Sequence, residues 1–456
     1  GRAAYKVGGR CAGLRQFCGD AVAAAGLPGA LEQPADGLAA LQRLVVEAAA
    51  AAPHERLWSD SRVEGFLRDF AAKCEELDPQ QVREALVLFT RAGHMPPALW
   101  HGGLAEGVSR VLPELADVQV VHVALLLASL ELRRPVELLR EVAEQLEERA
   151  PSLGPTGLAG AIVALSQLGP WPGGVAPGQD VLEEILGCME KLSPRELSAT
   201  ALAVATLGLH GAAFWQMAHM QLLAKVEELA PRHIADSLLA LATTQLCPIA
   251  LLEGLQGRLP STVRRMEPDE ALACAWSLCA LQLFPAAPLA VLVERACGAE
   301  AGDLSEVQAN QLAQVCLSLE LEASAAKARA ALHKGLWPQL LERRRLGHDS
   351  GAADQEVSDG LGELFAEAGE TFELDRQVED FYRLDVALEG PAGRRRCVLL
   401  GGRGAGHDAE GPQDPWLVLK ARHLKLLGWD VRWLPPWQWH EWSQDERKAF
   451  ANELTA

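Results

Sequence analysis

Lysine, arginine and histidine interleave with tryptophan near the end of this 456-residue sequence, a mixture suited to holding single-stranded nucleic acid. Lys420, Arg422, His423 and Lys425 form a tight cluster of phosphate partners. Six of the twelve tryptophans, Trp416, Trp429, Trp433, Trp437, Trp439 and Trp442, fall in the last 41 residues. One that faces solvent can stack on a base for about 1–3 kcal/mol. Trp429 and Trp433 share parity on one predicted strand and read as core, whereas Trp437 and Trp439 suit packing and stacking equally. The run Arg343 to Arg345 reads first as a charge cluster at a helix C-terminus and second as a phosphate contact. Gly402-Arg403-Gly404-Ala405-Gly406 follows a strand, but no helix opens at its last glycine. His407, Asp408 and Glu410 come next and would repel phosphate, so the segment reads as a surface loop.

The whole chain is acidic, with a formal net charge of -19. That excludes a protein that coats nucleic acid by bulk charge, because neutralising phosphate takes Lys and Arg. Any such contact is local. The ten cysteines include no CxxC pair, so neither a disulfide framework nor a zinc knuckle is expected, and they read as small buried hydrophobes. No metal or cofactor is implied. The longest apolar stretch, Val118 to Leu130, is interrupted by Gln119 and His122 and is too short to span a bilayer. Gly1 to Arg15 carries Arg2, Lys6, Arg10 and Arg15 without an acidic residue, which suits the flank of an organelle transit sequence or, equally, a chain cut from a longer one.

The elements that position these residues follow a repeat. Helix starts are expected at Pro79, Asp117, Pro155, Pro194, Pro231, Pro268 and Ser305, at intervals of 38, 38, 39, 37, 37 and 37 residues. Proline suits the first helical position, which needs no amide hydrogen, and Asp78 and Ser193 stand before it as N-caps. Counting from each anchor, position +7 (Leu86, Ala124, Ile162, Ala201, Leu238, Ala275, Leu312) is always apolar. So is position +10 (Phe89, Leu127, Leu165, Val204, Leu241, Leu278, Val315). Position +8 is apolar from Val87 to Ala313, which predicts one broad buried stripe at +3, +7, +8 and +10. Position +11 (Thr90, Ala128, Ser166, Ala205, Ala242, Cys279, Cys316) is always small, so neighbouring helices approach closely there. A second helix follows each first one, as in Pro135 to Ala150, Asp180 to Leu192 and Phe214 to Ala230. One hairpin cannot bury its stripe alone, so a mainly α fold is expected, an α-solenoid of about seven stacked hairpins.

The pattern from Ser193-Pro194-Arg195-Glu196-Leu197 through Ala201-Leu202-Ala203-Val204-Ala205-Thr206-Leu207-Gly208 resembles the first helix of octotricopeptide and heptatricopeptide repeats, related to the helical region of FAST-kinase-like proteins. The resemblance covers roughly residues 77 to 322. It implies that first helices read single-stranded RNA about one base per repeat, with +5 and +6 as the reading positions: His122, Thr200, Asp236, Ser237, Asn310 and Gln311. The stretch Leu417-Val418-Leu419-Lys420-Ala421-Arg422-His423-Leu424-Lys425-Leu426-Leu427-Gly428-Trp429-Asp430-Val431, followed by Pro435-Pro436-Trp437-Gln438-Trp439, strongly resembles the RAP domain over about Phe381 to Leu454. That implies a small α/β unit of restriction-endonuclease-like fold. A nuclease of that kind needs paired carboxylates on successive strands to hold its metal. Asp385 supplies one, but Val398-Leu399-Leu400-Gly401-Gly402 stands where the family often has an acidic residue, and His407 and Asp408 are poor replacements.

The expected organisation is an N-terminal helical cap (1–76), whose second helix is Leu57 to Glu76; hairpin repeats (77–345); an acidic linker (346–370); and the RAP-like unit (371–456). The expected function is a non-catalytic RNA-binding protein of an organelle, acting on mitochondrial or plastid transcripts or ribosomal RNA. The rival is an adaptor that binds protein, for example a component of a mitochondrial ribosome or other organellar assembly. Neither requires a membrane.

Overall fold

The computed structural model describes residues 34–50, 58, 61–132, 134–169, 171, 176–209, 211–297, 305–322, 352–379, 381–389, 394–401 and 415–455. The proposed transit flank, the helix ending in Arg343 to Arg345, and the loop carrying Gly402 to Asp408 lie outside these. The fold is mainly helical with a small four-stranded sheet near the C-terminus. No described helix is long and apolar enough to cross a membrane. The chain divides into two compact units, residues 1–172 with 176–191, and residues 173–175 with 192–456.

The described helices of the first unit are α1 (Pro34–Ala50), α2 (Ser61–Ala71), α3 (Pro79–Ala92), α4 (Pro97–Leu99), α5 (Ala105–Val111), α6 (Asp117–Ser129), α7 (Val136–Glu148), α8 (Pro155–Leu168) and α9 (Gln179–Cys188). A π turn, Trp100–Leu104, joins α4 to α5. The first helices α1, α3, α6 and α8 pack side by side, each against the next. In the second unit the hairpins are α10 (Pro194–Leu207) with α11 (Ala212–Ala224), α12 (Pro231–Thr244) with α13 (Ile249–Thr262), and α14 (Pro268–Ala280) with α15 (Ala286–Ala296). The last described first helix is α16 (Glu306–Leu321). Six of the seven expected anchors open their helices, and the seventh, Ser305, is the N-cap. Asp78 and Ser193 cap as expected, accepting from the amides of Gln81 at 2.8 Å and Glu196 at 3.3 Å.

All fourteen residues at +7 and +10 are buried. Position +8 differs from expectation: Val87, Leu125, Val163, Leu202 and Leu239 are half-buried, and only Trp276 and Ala313 are buried. The reason is geometric, since +8 lies beside the helix–helix seam and is covered only where another element crosses it.

A second regularity went unread in the sequence. Before six anchors the chain makes a 3₁₀ turn, then places a buried Leu77, Leu115, Leu153, Leu192, Leu229 or Met266, then an extended residue, then the helix. Proline favours the extended residue before it. In four hairpins a cation at the end of the second helix donates back to the carbonyl of that buried residue: Arg110 to Leu77, Arg149 to Leu115, Lys225 to Leu192, and Arg295 to Met266. Each of these hairpins is thereby closed on itself, its second helix tied to the turn that opens its first.

The C-terminal part of the second unit begins with α17 (Ala352–Glu367), so the expected acidic linker at 346–370 is corrected from residue 352 onward. Its charges are real, but Val357, Leu361 and Phe365 are fully buried on one helical face. The sheet comprises β1 (Phe372–Val378), β2 (Tyr382–Glu389), β3 (Arg395–Leu400) and β4 (Trp429–Leu434), in that spatial order. The first three are antiparallel; β4 runs parallel to β3, and α18 (Pro415–Leu426) joins them. α19 (Pro436–Glu441) and α20 (Gln444–Thr455) close the chain. One sheet face packs α17, Trp439 and α20 onto Val386, Leu388, Val398, Leu400 and Leu434. The other packs α18, together with Ala313 and Leu317 of α16, onto Tyr382, Leu384, Cys397, Leu399 and Val431. The sheet therefore shares a core with the last repeat helix, and the repeat/α-β boundary drawn from composition near residue 345 is not a boundary of packing.

Most described cysteines behave as small core residues: Cys74, Cys274, Cys279, Cys316 and Cys397 are buried, but Cys247 is exposed. The residue after a first helix often adopts a left-handed conformation. Gly93 (φ 62) does so without strain, whereas Glu131 (φ 53) does so at a cost. Nothing lies within 4 Å of a Cβ built on Gly93, so backbone conformation alone decides there. Gly93→Ala should lower stability by about 1 kcal/mol and Glu131→Gly should raise it by a similar amount, read as opposite shifts of the urea midpoint.

Candidate nucleic-acid interface

α18 carries most of the basic cluster, and its residues mainly face inward. It lies across α12, α14 and α16. Trp276, at +8 of α14, stacks on Trp416 with ring centroids 4.9 Å apart. Its indole N–H donates to Gln314 Oε1 at 2.7 Å, and the Gln314 amide donates to the Trp416 carbonyl at 3.3 Å. The crossing of α18 is what buries Trp276 at a row position that is half-exposed in most other repeats.

Arg422, expected to meet phosphate, is turned into the protein. Its guanidinium donates to the carbonyls of Cys279 and Ala280, the last turn of α14, where the helix dipole favours a cation. It also pairs with Glu322 at 2.9 Å, with the two side chains 16% and 12% exposed.

His423 is 0% exposed. Its Nδ1 lies 2.7 Å from the Tyr382 hydroxyl and its Nε2 lies 2.8 Å from the Ser318 hydroxyl, with Glu322 3.5 Å away. A neutral imidazole fits these partners, accepting on one nitrogen and donating from the other. Burial pushes its pKa down, Glu322 opposes that, and Arg422 adds to it. Burial pushes the Glu322 carboxyl up, but its hydrogen bonds and attraction to His423 and Arg422 outweigh this and hold it below the usual range. A Ser–His contact of this length is also the start of a nucleophilic site, yet both groups here are fully buried.

The remaining residues of the cluster are scattered. Lys420 is half-buried, close enough to the Cys397 thiol to oppose the upward push of burial on it. Lys425 is exposed. Trp439 is core: only 4% exposed, packed against Gly360 and covered by Arg447 at 4.8 Å from its ring centroid. Trp437 is 38% exposed. Lys425 precedes β4 and Trp437 follows it, so about 20 Å of strand separates them, and α18 and α19 belong to opposite sheet faces. The expected single patch of base and aromatic is therefore corrected to two separate exposed points.

The expected repeat positions divide the same way. Thr200 and Ser237, both at +6, are fully buried, because +6 faces the adjoining first helix. Ser237 donates to the His233 carbonyl at 2.7 Å. Asp236 is 9% exposed and paired with Arg232 at 3.0 Å, and Arg232 also reaches Asp269 in the next repeat at 3.3 Å. His122 is exposed, and Asn310 and Gln311 are half-buried. Position +5 borders solvent at His122 and Asn310 but not at Asp236, and +6 is buried at Thr200 and Ser237 but only half-buried at Gln311.

The sequence reading missed Trp276, Gln314, Ser318, Glu322 and Tyr382. Two of them had left a signal: Trp276 is the one aromatic residue at +8, and Gln314 at +9 stands where the corresponding residues of earlier repeats, such as Leu88, Leu126 and Ala164, are apolar. Asp385, the lone candidate carboxylate, accepts from the Leu400 amide at 2.9 Å, a side-chain bond just beyond the Val386–Val398 end of the β2–β3 register. Among the described residues no group of three or more His, Cys, Asp or Glu side chains is placed to hold a metal ion.

A scan against protein-family models gives no match, and a search of curated proteins gives none either. The case for what this surface does therefore rests on its chemistry. Arg422→Ala leaves Glu322 and two helix carbonyls without their cation and should cost about 3 kcal/mol. Lys425→Ala, on the exposed end of the same helix, should change stability by less than about 0.5 kcal/mol. Urea unfolding of the two variants tests the contrast.

Proposed function

We propose that this chain is a non-catalytic RNA-binding adaptor of an organelle, a mitochondrion in preference to a plastid. In this reading, hairpin repeats of an octotricopeptide-like solenoid and a RAP-like module together hold a single-stranded transcript or ribosomal RNA segment without altering it. The observation that carries the reading is the pairing of a regular array of two-helix repeats with a small sheet module packed onto the array's last helices. Such an array offers a row of equivalent positions at a regular spacing, the geometry that base-by-base reading of an extended strand requires. The surviving contact points are His122, Asn310 and Gln311 on first helices, and Lys425 and Trp437 on the module, with Lys420 at its edge.

A second reading, an adaptor that binds protein within an organellar assembly, is favoured by the fate of the cations. The net charge is -19, and Arg110, Arg149, Arg295 and Arg422 all have ligands within the chain. These four cations are committed within the chain and are not offered to phosphate.

Fluorescence anisotropy with a pool of single-stranded RNA at moderate salt separates the two. RNA binding predicts measurable affinity, a modest salt slope of a few phosphates at most, and a loss of about fivefold or more for Trp437→Ala if that indole stacks on a base. No affinity in the intact protein, together with co-sedimentation with a large assembly that ribonuclease does not disturb, would replace the first reading with the second.

A further inference from the structure

We propose that the contact between the C-terminal sheet module and the last two repeats is an acid-released latch, with His423 as its sensor. Two parts of the chain about a hundred residues apart meet at one fully buried imidazole, with Ser318 on α16 on one side and Tyr382 on β2 on the other. Among the described residues, four groups besides Ser318 face it. From the end of α16 comes the Glu322 carboxylate, from α14 the Cys279 thiol next to Ser318, from β2 the Tyr382 phenol, and from α18 itself Arg422. One carboxylate already serves the Arg422 guanidinium at 2.9 Å.

The neutral imidazole satisfies both flanking hydroxyls. Tyr382 donates to Nδ1, and Nε2–H donates to Ser318 or Glu322. Protonation places a hydrogen on Nδ1, so the phenol must turn from donor to acceptor toward the ring inside a core. It also puts two cations on one carboxylate. Undocked, the imidazole is hydrated and takes the proton freely at its ordinary pKa of about 6.5. Proton uptake therefore favours the undocked state. The sign follows: the docked pKa lies below the undocked one, so the latch is at full strength above about pH 6.5 and weakens as pH falls below that. One proton changes the docking equilibrium at most tenfold per pH unit. Glu322, held below its usual range, adds to the loss only at still lower pH. Release would uncover Trp276 and Ala313, extending the +8 row that Leu202 and Leu239 begin.

Hydrogen exchange of the full chain, corrected for intrinsic rates, reads the latch between pH 7.5 and 5.0, a window above the titration of Glu322. Protection of α18 and α16 should fall several-fold toward pH 5.0, while α8 in the first unit changes by less than twofold. His423→Gln, which keeps a neutral donor and acceptor, should abolish the step. Tyr382→Phe removes the hydroxyl that favours the neutral ring, which brings the docked pKa toward the undocked one and should shrink the step, and this keeps the test decisive if the glutamine variant does not fold. A protection of α18 that follows α8 across the range, a step that persists in His423→Gln, or one that Tyr382→Phe leaves undiminished would overturn the proposal.

Discussion

No hairpin in this chain can bury its own apolar stripe, and the rest of the structure depends on that constraint. Residues at +7 and +10 are sealed only when a neighbouring first helix lies against them. Within each unit the first helices therefore run side by side, with small residues at +11 allowing the close approach. Among the described residues no further repeat follows α16. In the second unit the sheet module supplies the cover, with α18 and strands β2, β3 and β4 closing over Ala313 and Leu317. A module that reads in sequence as a separate domain is, in packing terms, the terminal cap of the array.

That role accounts for the polar chemistry of α18. A helix that caps an array has to fix its position as well as bury area, and apolar contact alone does so poorly. Arg422 on the α14 carbonyls, Gln314 between Trp276 and Trp416, and His423 between Tyr382 and Ser318 each accept one geometry. Buried polar groups of this kind add little net stability when satisfied and cost several kcal/mol when a partner is removed. They specify register more than they add strength.

Much of the array was legible in the sequence because its signals are local and repeated. Proline anchors, two apolar positions that never fail and one that is always small left few alternatives for the helix starts. The 3₁₀ turn with its buried Leu or Met was equally regular, in runs such as Glu76-Leu77-Asp78-Pro79 and Lys191-Leu192-Ser193-Pro194, but it lay outside the helical period and so outside the search. The site was far less legible. Lys420, Arg422, His423 and Lys425 are adjacent in sequence, yet a helix turns successive side chains about 100° apart, so two face the repeats and one faces water. Whether a basic helix meets phosphate or its own protein depends on a partner a hundred residues away. α17 was misread for the opposite reason: its acidic residues dominate the composition, while Val357, Leu361 and Phe365 at a spacing of four carry the structure.

The central claim is that the sheet module belongs to the same cooperative unit as the last repeats. Native-state hydrogen exchange of the intact chain at neutral pH, followed through increasing urea below the unfolding transition, tests it most directly. The account predicts that amides of β2 and β3 and those of α14 and α16 merge into a single opening free energy and a single denaturant dependence. A sheet that opens at lower urea while α14 and α16 keep their protection would show an independent, merely tethered domain and contradict it.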